Sequence, residues 1–360
     1  MEKYNQFRAL KAITKASLTA IFRSPQSVFF GLFFPIVLIV IFGTVSGSSS
    51  GFSIDVAMDK KADSSNELYY MIRSHPALNV IEKRQDTLED MMRKGKITAI
   101  INIIPEKNPD GSEHYDIHLR SASASQRELP TLQALLQGVI AESKSGDQKN
   151  QYASISVEPV PGREYKLIDF YLPGMIGFSL IGSAVFGVAF LFFNLRETLV
   201  LKRLYASPIY RLNIILGETF SRIIFQIVTV IVLILFGTYF YHFTLAHGAI
   251  TFIEMLLFSI LGLLVFMGAG FIISSVAKNQ NVIPIYSNLF MFPQYFLSGT
   301  FFTKTNVWGV DYLPLTALND ALRKISFEGA HLIDCWKQAA ILGCWGILVY
   351  FIAIKVFRWE

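Results

Sequence analysis

Glu218 and Arg222 stand four residues apart at the edge of an apolar run. On a helix that spacing puts both on one face, where they can pair. Charge at membrane depth is expensive and marks a functional position by default. The pair therefore has two readings, a structural ion pair near the cytoplasmic end of a span and a polar station on a substrate path. Glu254, at the outer edge of the next apolar run, has the same two readings, functional or simply hydrated. His114 and His118 share one face of an expected strand, a metal-ligand geometry with no third ligand evident. The alternative is a pair of surface histidines beside Glu113 and Asp116.

None of these groups sets up catalysis. No Ser, His and Asp set announces a hydrolase, and no metal site is expected. Cys335 and Cys344 lie nine apart, about 13 Å along a helix and beyond disulfide reach. No Gly-x-x-x-x-Gly-Lys-Ser/Thr loop is present, so the chain is not expected to hold ATP itself or to be an enzyme.

The elements that must position these residues are membrane helices. Hydrophobic residues make up 52% of the chain, charged residues 16%, and 31 residues are Phe, a composition suited to a bilayer rather than to water. Crossing hydrocarbon takes roughly 20 apolar residues. Charge-free runs near that length are Val28–Val45, Phe170–Leu195, Ile223–Ile253, Met255–Ala277, Asn279–Thr303 and Gln338–Ile354, which predicts six spans. The first has a second reading as a signal peptide, weakened by its long lead and the lack of an Ala-x-Ala site.

Basic residues orient the spans. Lys3, Arg8, Lys11, Lys15 and Arg23 precede the first, Arg196, Lys202, Arg203 and Arg211 follow the second, and Lys355 and Arg358 follow the last. The positive-inside rule places both termini in the cytoplasm. The net charge of +5 is then a matter of topology, and no nucleic-acid partner is expected. The hydrophilic stretch 46–166 lies outside the cytoplasm. Its pattern predicts strands at Ser53–Met58, Leu78–Ile81, Ile97–Ile104, Tyr115–Leu119 and Ala153–Val157, and helices at Ser64–Arg73, Thr87–Lys94 and Arg127–Glu142. The expected fold is a mainly α-helical polytopic membrane protein with an inserted small α/β extracytoplasmic domain.

Two basic segments face the cytoplasm. In residues 1–27, Phe7, Leu10, Ile13, Leu18 and Ile21 fall on one helical arc beside Arg8, Lys11, Lys15 and Arg23, an interfacial helix. It serves as a lipid anchor, or it also touches a cytoplasmic partner. Residues 196–208 repeat this geometry, with Val200, Leu201, Leu204 and Tyr205 on one face and Arg196, Lys202 and Arg203 on the other, stopped by Pro208.

Here the chain resembles the permease subunits of ATP-binding-cassette exporters of the second type. In that family the loop after the second span commonly reads Arg-Glu-x-Gly-Thr-Leu, then basic residues, Leu, and a small residue before Pro. This sequence supplies Arg196, Glu197, Leu201, Lys202, Arg203, Leu204, Ser207 and Pro208 in register, with Leu199-Val200 in place of Gly-Thr. Similarity continues at Gly217-Glu218, at Leu297-Ser298-Gly299 before Phe301-Phe302, at Leu313-Pro314-Leu315-Thr316, and at Asp320-Ala321-Leu322-Arg323. The resemblance implies one span at 28–45, the outer domain, and five spans in 167–360. It makes 196–208 a coupling helix, 1–27 a connecting helix, and 300–325 a re-entrant outer element, for which an ordinary external loop is the alternative. Leu297, Ser298, Gly299, Pro314 and Leu315 become the outer gate. It further implies a dimer with a second permease copy or a related permease, contact with membrane lipids, and separate cassette ATPase subunits holding ATP and Mg²⁺. The location implied is a bacterial inner membrane, and the cargo apolar or amphipathic. A secondary carrier, or a signalling or assembly protein, are the other classes; no repeated halves support the carrier.

Overall fold

In the computed structural model the chain forms two compact units, Met1–Gly47 with Leu167–Glu360, and Ser48–Lys166. The structure describes residues 5–45, 54–93, 97–107, 113–122, 129–143, 152–160, 166–199, 209–301, 307 and 309–356.

The chain opens with helix α1 (Gln6–Arg23), capped by Asn5, whose side chain accepts from the Arg8 amide at 3.1 Å. A helical run follows: α2 (Pro25–Val28), a π turn (Phe29–Phe33) and α3 (Phe34–Val45). Then come the elements of the smaller unit, β1 (Ile54–Met58), α4 (Glu67–Ser74), β2 (Leu78–Val80), α5 (Gln85–Arg93), β3 (Ala99–Lys107), β4 (Glu113–Ala122), α6 (Leu129–Ser143) and β5 (Ala153–Val160). The chain returns to the helical unit with α7 (Leu167–Glu197), α8 (Arg211–Tyr241), α9 (Ala249–Val276), α10 (Val282–Leu297), α11 (Pro314–Arg323) and α12 (Trp336–Val356).

The smaller unit is an α/β domain. Its five strands lie in the order β2-β1-β3-β4-β5, with β1 parallel to β2 and β3, β4 antiparallel to β3, and β5 parallel to β4. Alternation along β3 divides the core, as strand side chains point to opposite faces. Ala99, Ile101 and Ile103 join Leu68 and Ile72 of α4 and Leu132 and Leu136 of α6, whereas Ile100 joins Leu88 and Met92 of α5 on the other face. His114 and His118 take part in surface polar contacts, the first 3.0 Å from the Ser154 hydroxyl and the second 3.7 Å from Glu158.

The helical unit carries four of the six expected spans as long apolar helices, and the other two expected runs are shorter. Among the described residues, four helices are long and apolar enough to cross a membrane, over Ile168–Glu197, Leu212–Tyr241, Ala249–Val276 and Trp336–Val356. The first expected span is made instead from a run interrupted by a π turn, whose apolar part is the shorter segment Phe29–Phe42. The fifth is α10, 16 residues long and so about 24 Å, short of the roughly 30 Å hydrocarbon core. It stops because Gly299 turns the chain in the left-handed region at φ 74°.

The third span is also displaced from its charge-free run. It begins at Arg211 and ends at Tyr241, and the apolar stretch beyond it is a turn at 242–248. Charge counting moved the expected start because Glu218 and Arg222 pair with each other within the helix.

Close packing rests on small residues, as between helices in a bilayer. A side-chain carbon on Gly270 of α9 would stand 2.8 Å from Cβ of Val188 on α7. The core around this contact includes Leu180, Ala184, Val185, Leu263, Phe266 and Met267, all buried.

Candidate functional site

Three polar constellations stand in the helical unit. The first gathers at the junction of α7, α8 and α1. The sequence reading starts a separate helix at Arg196, but Arg196 and Glu197 are the last residues of α7. No breaker separates them from the span, so the helix runs on until Leu199, which turns into the left-handed region at φ 56°. Arg196 Nη2 donates to the Ala277 carbonyl at 2.9 Å, at the C-terminal end of α9, where a cation suits the exposed carbonyl ends. Glu197 is exposed. Leu201, Lys202, Arg203, Leu204 and Pro208 lie outside the described residues.

Past that segment, the side-chain oxygen of Gln6 accepts from the Tyr210 amide at 3.2 Å and from Asn213 Nδ2 at 2.9 Å. Helix α1 then lies along α8, where Gly217 leaves room for Ile13; a Cβ there would stand 2.6 Å from Ile13 Cγ2. Ala9 and Ile21 are buried by this docking, while Arg8, Lys11 and Lys15 stay exposed. Phe7, expected on the apolar arc, lies outward and is 75% exposed. The inner face is centred on Ala9, Ile13 and Ile21 and leaves Phe7 among the lysines.

The second constellation is the charged pair. Glu218 and Arg222 are 3% and 8% exposed, with Oε1 and Nε 2.7 Å apart. The contact is an ion pair too bent to be a directed hydrogen bond. Arg222 Nη1 donates to the Ser183 carbonyl at 3.2 Å on α7. Gly187 makes this approach possible, since its Cβ would meet Nη1 at 2.0 Å. Above the pair, the Ser183 hydroxyl donates to Gln226 Oε1 at 2.9 Å, and Ser179 donates to the Gly31 carbonyl in the π turn. Both charges therefore lie about two turns and about three turns inside α8, joined to α7 and buried within the helical unit. Glu254 is likewise paired rather than merely hydrated: its Oε1 lies 3.2 Å from His331 Nδ1 and accepts from the Leu332 amide at 3.1 Å.

The third constellation joins the end of α10 to α11. Helix α11 is buried from Pro314 to Asn319 and again at Ala321 and Leu322, packed against α7, α9 and α12. Ser298 and Thr300 are buried, their hydroxyls 2.8 Å apart, and Asn319 Nδ2 donates to Thr300 at 2.9 Å. Gln294 Oε1 accepts from the Leu315 amide at 3.2 Å, just after Pro314 opens α11. The structure thus brings Leu297, Ser298 and Gly299 together with Pro314 and Leu315. Gly174 and Gly177 on α7 admit the turn: added Cβ atoms would stand 2.6 Å from the Thr300 carbonyl and 2.2 Å from Asn319 Oδ1.

Aromatic rings flank this knot. Phe178 of α7 lies 5.5 Å from Phe34, 4.6 Å from Tyr295 and 5.7 Å from Phe301, and Phe42 stacks on Tyr171 at 4.4 Å. Gln226, Gln294, Asn319 and Arg323 join these constellations without being site residues expected from the sequence. A search for charge overlooks amides. Their signal was an amide, or an Arg after a buried motif, in an otherwise apolar segment.

Apolar helices of spanning length, a buried ion pair within one of them that is hydrogen-bonded to its neighbour, and an inserted α/β domain define a multi-pass membrane protein. The family model described as ABC-2 family transporter protein matches residues 25–355, and the chain belongs to that family. No curated protein and no solved structure matches the chain. Membership makes the chain the membrane component of an ABC transporter, a part that is not itself catalytic, with an ATPase as its partner.

Proposed function

We propose that this chain is the permease subunit of an ABC exporter, one half of a permease dimer in a bacterial inner membrane with both termini in the cytoplasm. In this reading it has six membrane segments, the short Pro25–Val45 run and α10 completing the four long helices. It moves an apolar or amphipathic substrate, a drug, lipid or lipopeptide, out of the cytoplasm or inner leaflet. Separate cassette ATPases hold ATP and Mg²⁺.

The observation that carries the reading is the docking of α1 on the start of α8. Gln6 is bonded to Tyr210 and Asn213, directly after that segment, and Arg196 and Glu197 lead into it. The residues proposed for coupling are Arg196, Glu197, Leu201, Lys202, Arg203, Leu204 and Pro208, and α1, which exposes Arg8, Lys11 and Lys15, is bonded to the residues that follow them in the chain. An acidic or polar partner surface meets cations there by charge-assisted contacts. Helix α1 is fixed to α8 and α7 to α9, so rigid-body motion of a bound partner is passed into the spans. Exposed Phe7 and Phe22 beside the same cations suit the lipid interface. The aromatic rings on α3, α7 and α10 favour a greasy cargo.

The test is co-expression and co-purification with a cassette ATPase, followed by ATP turnover and transport in proteoliposomes. Glu197→Ala, Arg203→Ala and Pro208→Ala are expected to lower coupled turnover about tenfold, near 1.4 kcal/mol each. Wild-type assembly, turnover and transport in all three would sink the coupling assignment.

A further inference from the structure

We propose that Arg323 is the latch of the outer gate, a positioning residue that holds the 298–301 turn closed against α7 and whose release opens it. The proposal rests on the permease reading above.

Arg323 ends α11 and reaches two other elements at once. Its Nε and Nη2 donate to the Phe170 carbonyl at 3.3 and 3.2 Å, near the start of α7. Nη2 also donates to the carbonyl of Gly299, the left-handed residue that reverses the chain after α10. The guanidinium carbon lies 4.0 Å from the centre of the Phe170 ring. A planar fork with several donors can serve both carbonyls; an ammonium, a single point charge, cannot hold them in this geometry.

What lies beneath the latch makes it releasable rather than permanent. Asn319 and Thr316 are fully buried, yet among the described residues Asn319 Oδ1 and Thr316 Oγ1 have no hydrogen-bond partner. Burying a polar atom without a partner is unfavourable. Water entering beside the 298–301 turn would satisfy both, so the closed arrangement carries a penalty that opening relieves. Asn319 Nδ2 holds Thr300 on one side, Gly174 and Gly177 let the turn sit flush on α7, and Arg323 spans the joint from outside. The Arg323 contacts are the ones that tie the turn to both flanking helices while remaining only partly buried, within reach of solvent or substrate.

The test reads local opening at the turn in the full chain, in lipid nanodiscs, with neither ATPase nor substrate. In a Cys335→Ala, Cys344→Ala background, Ser298→Cys reports on the turn and Ser274→Cys, buried in α9, reports on the body of the helical unit. N-ethylmaleimide labelling follows the population of the opened form. Arg323→Ala is expected to speed labelling of the Ser298→Cys reporter about tenfold or more and to leave the Ser274→Cys reporter unchanged. Arg323→Lys is expected to speed it less but at the same place. It decides by the same criterion if Arg323→Ala does not purify. Unchanged labelling at the turn overturns the latch, as does an equal rise at both reporters, which would make Arg323 a general fold residue. A rise confined to the turn, with coupling variants that have no effect, would keep the latch and remove the transport reading.

Discussion

Glu218 and Arg222 show how little a charge in an apolar helix reveals until its partner is known. The two are enclosed between α7 and α8, and Arg222 also holds the Ser183 carbonyl. Removing one partner strands the other in low dielectric, an effect of about 3–5 kcal/mol in buried pairs, whereas replacing both with apolar groups is often nearly neutral. Glu218→Leu is therefore expected to lower the thermal unfolding midpoint in detergent sharply, and Glu218→Leu with Arg222→Met to recover most of it. A double variant no more stable than the single one would mean that the pair does more than neutralise itself. The spacing made the pairing legible, but not its depth, because a neutralised pair can sit inside a span that charge counting places beyond it.

At the scale of elements, α1 is the clearest example of packing refining a pattern. Its apolar arc could be read from the periodicity, yet the face that docks on α8 is rotated so that Ile13 meets Gly217 and Phe7 does not join it. Gly217→Val would place branched carbon where Ile13 Cγ2 already stands, so α1 should lift from α8. Tryptic cleavage at Lys11 and Lys15 is expected to speed up roughly tenfold, as local unfolding governs proteolysis. Ile13→Ala added to Gly217→Val should restore much of the protection. Cleavage at the wild-type rate in Gly217→Val would refute this docking contact as the determinant of α1 order. Helix α10 teaches a related lesson: its residues are apolar enough for a span, but Gly299 ends it early and the chain turns back to α11 through Gln294 and Asn319.

For the whole molecule, the division at Ser48 and Lys166 carries a prediction. Each unit has its own core, Leu68, Ile101 and Leu132 in one and Leu180, Leu263 and Phe266 in the other. The fragment 48–166 expressed alone should be soluble and unfold in one cooperative transition of about 5–15 kcal/mol; a molten, non-cooperative fragment would contradict it. The sequence by itself determined the bilayer as solvent, the strands and helices of the α/β unit, the basic amphipathic character of α1, and the order of motifs that matches the family. These are properties of local composition and period, which a helix or a strand expresses wherever it is placed. Only the tertiary structure decided which apolar runs reach spanning length, that Arg196 and Glu197 complete α7, that Glu254 meets His331, and that Arg323 joins Gly299 to Phe170. Those contacts link residues as many as 153 positions apart, and what selects them is the fit of one helix surface against another and the need to pair buried polar groups, neither of which is written in any single segment.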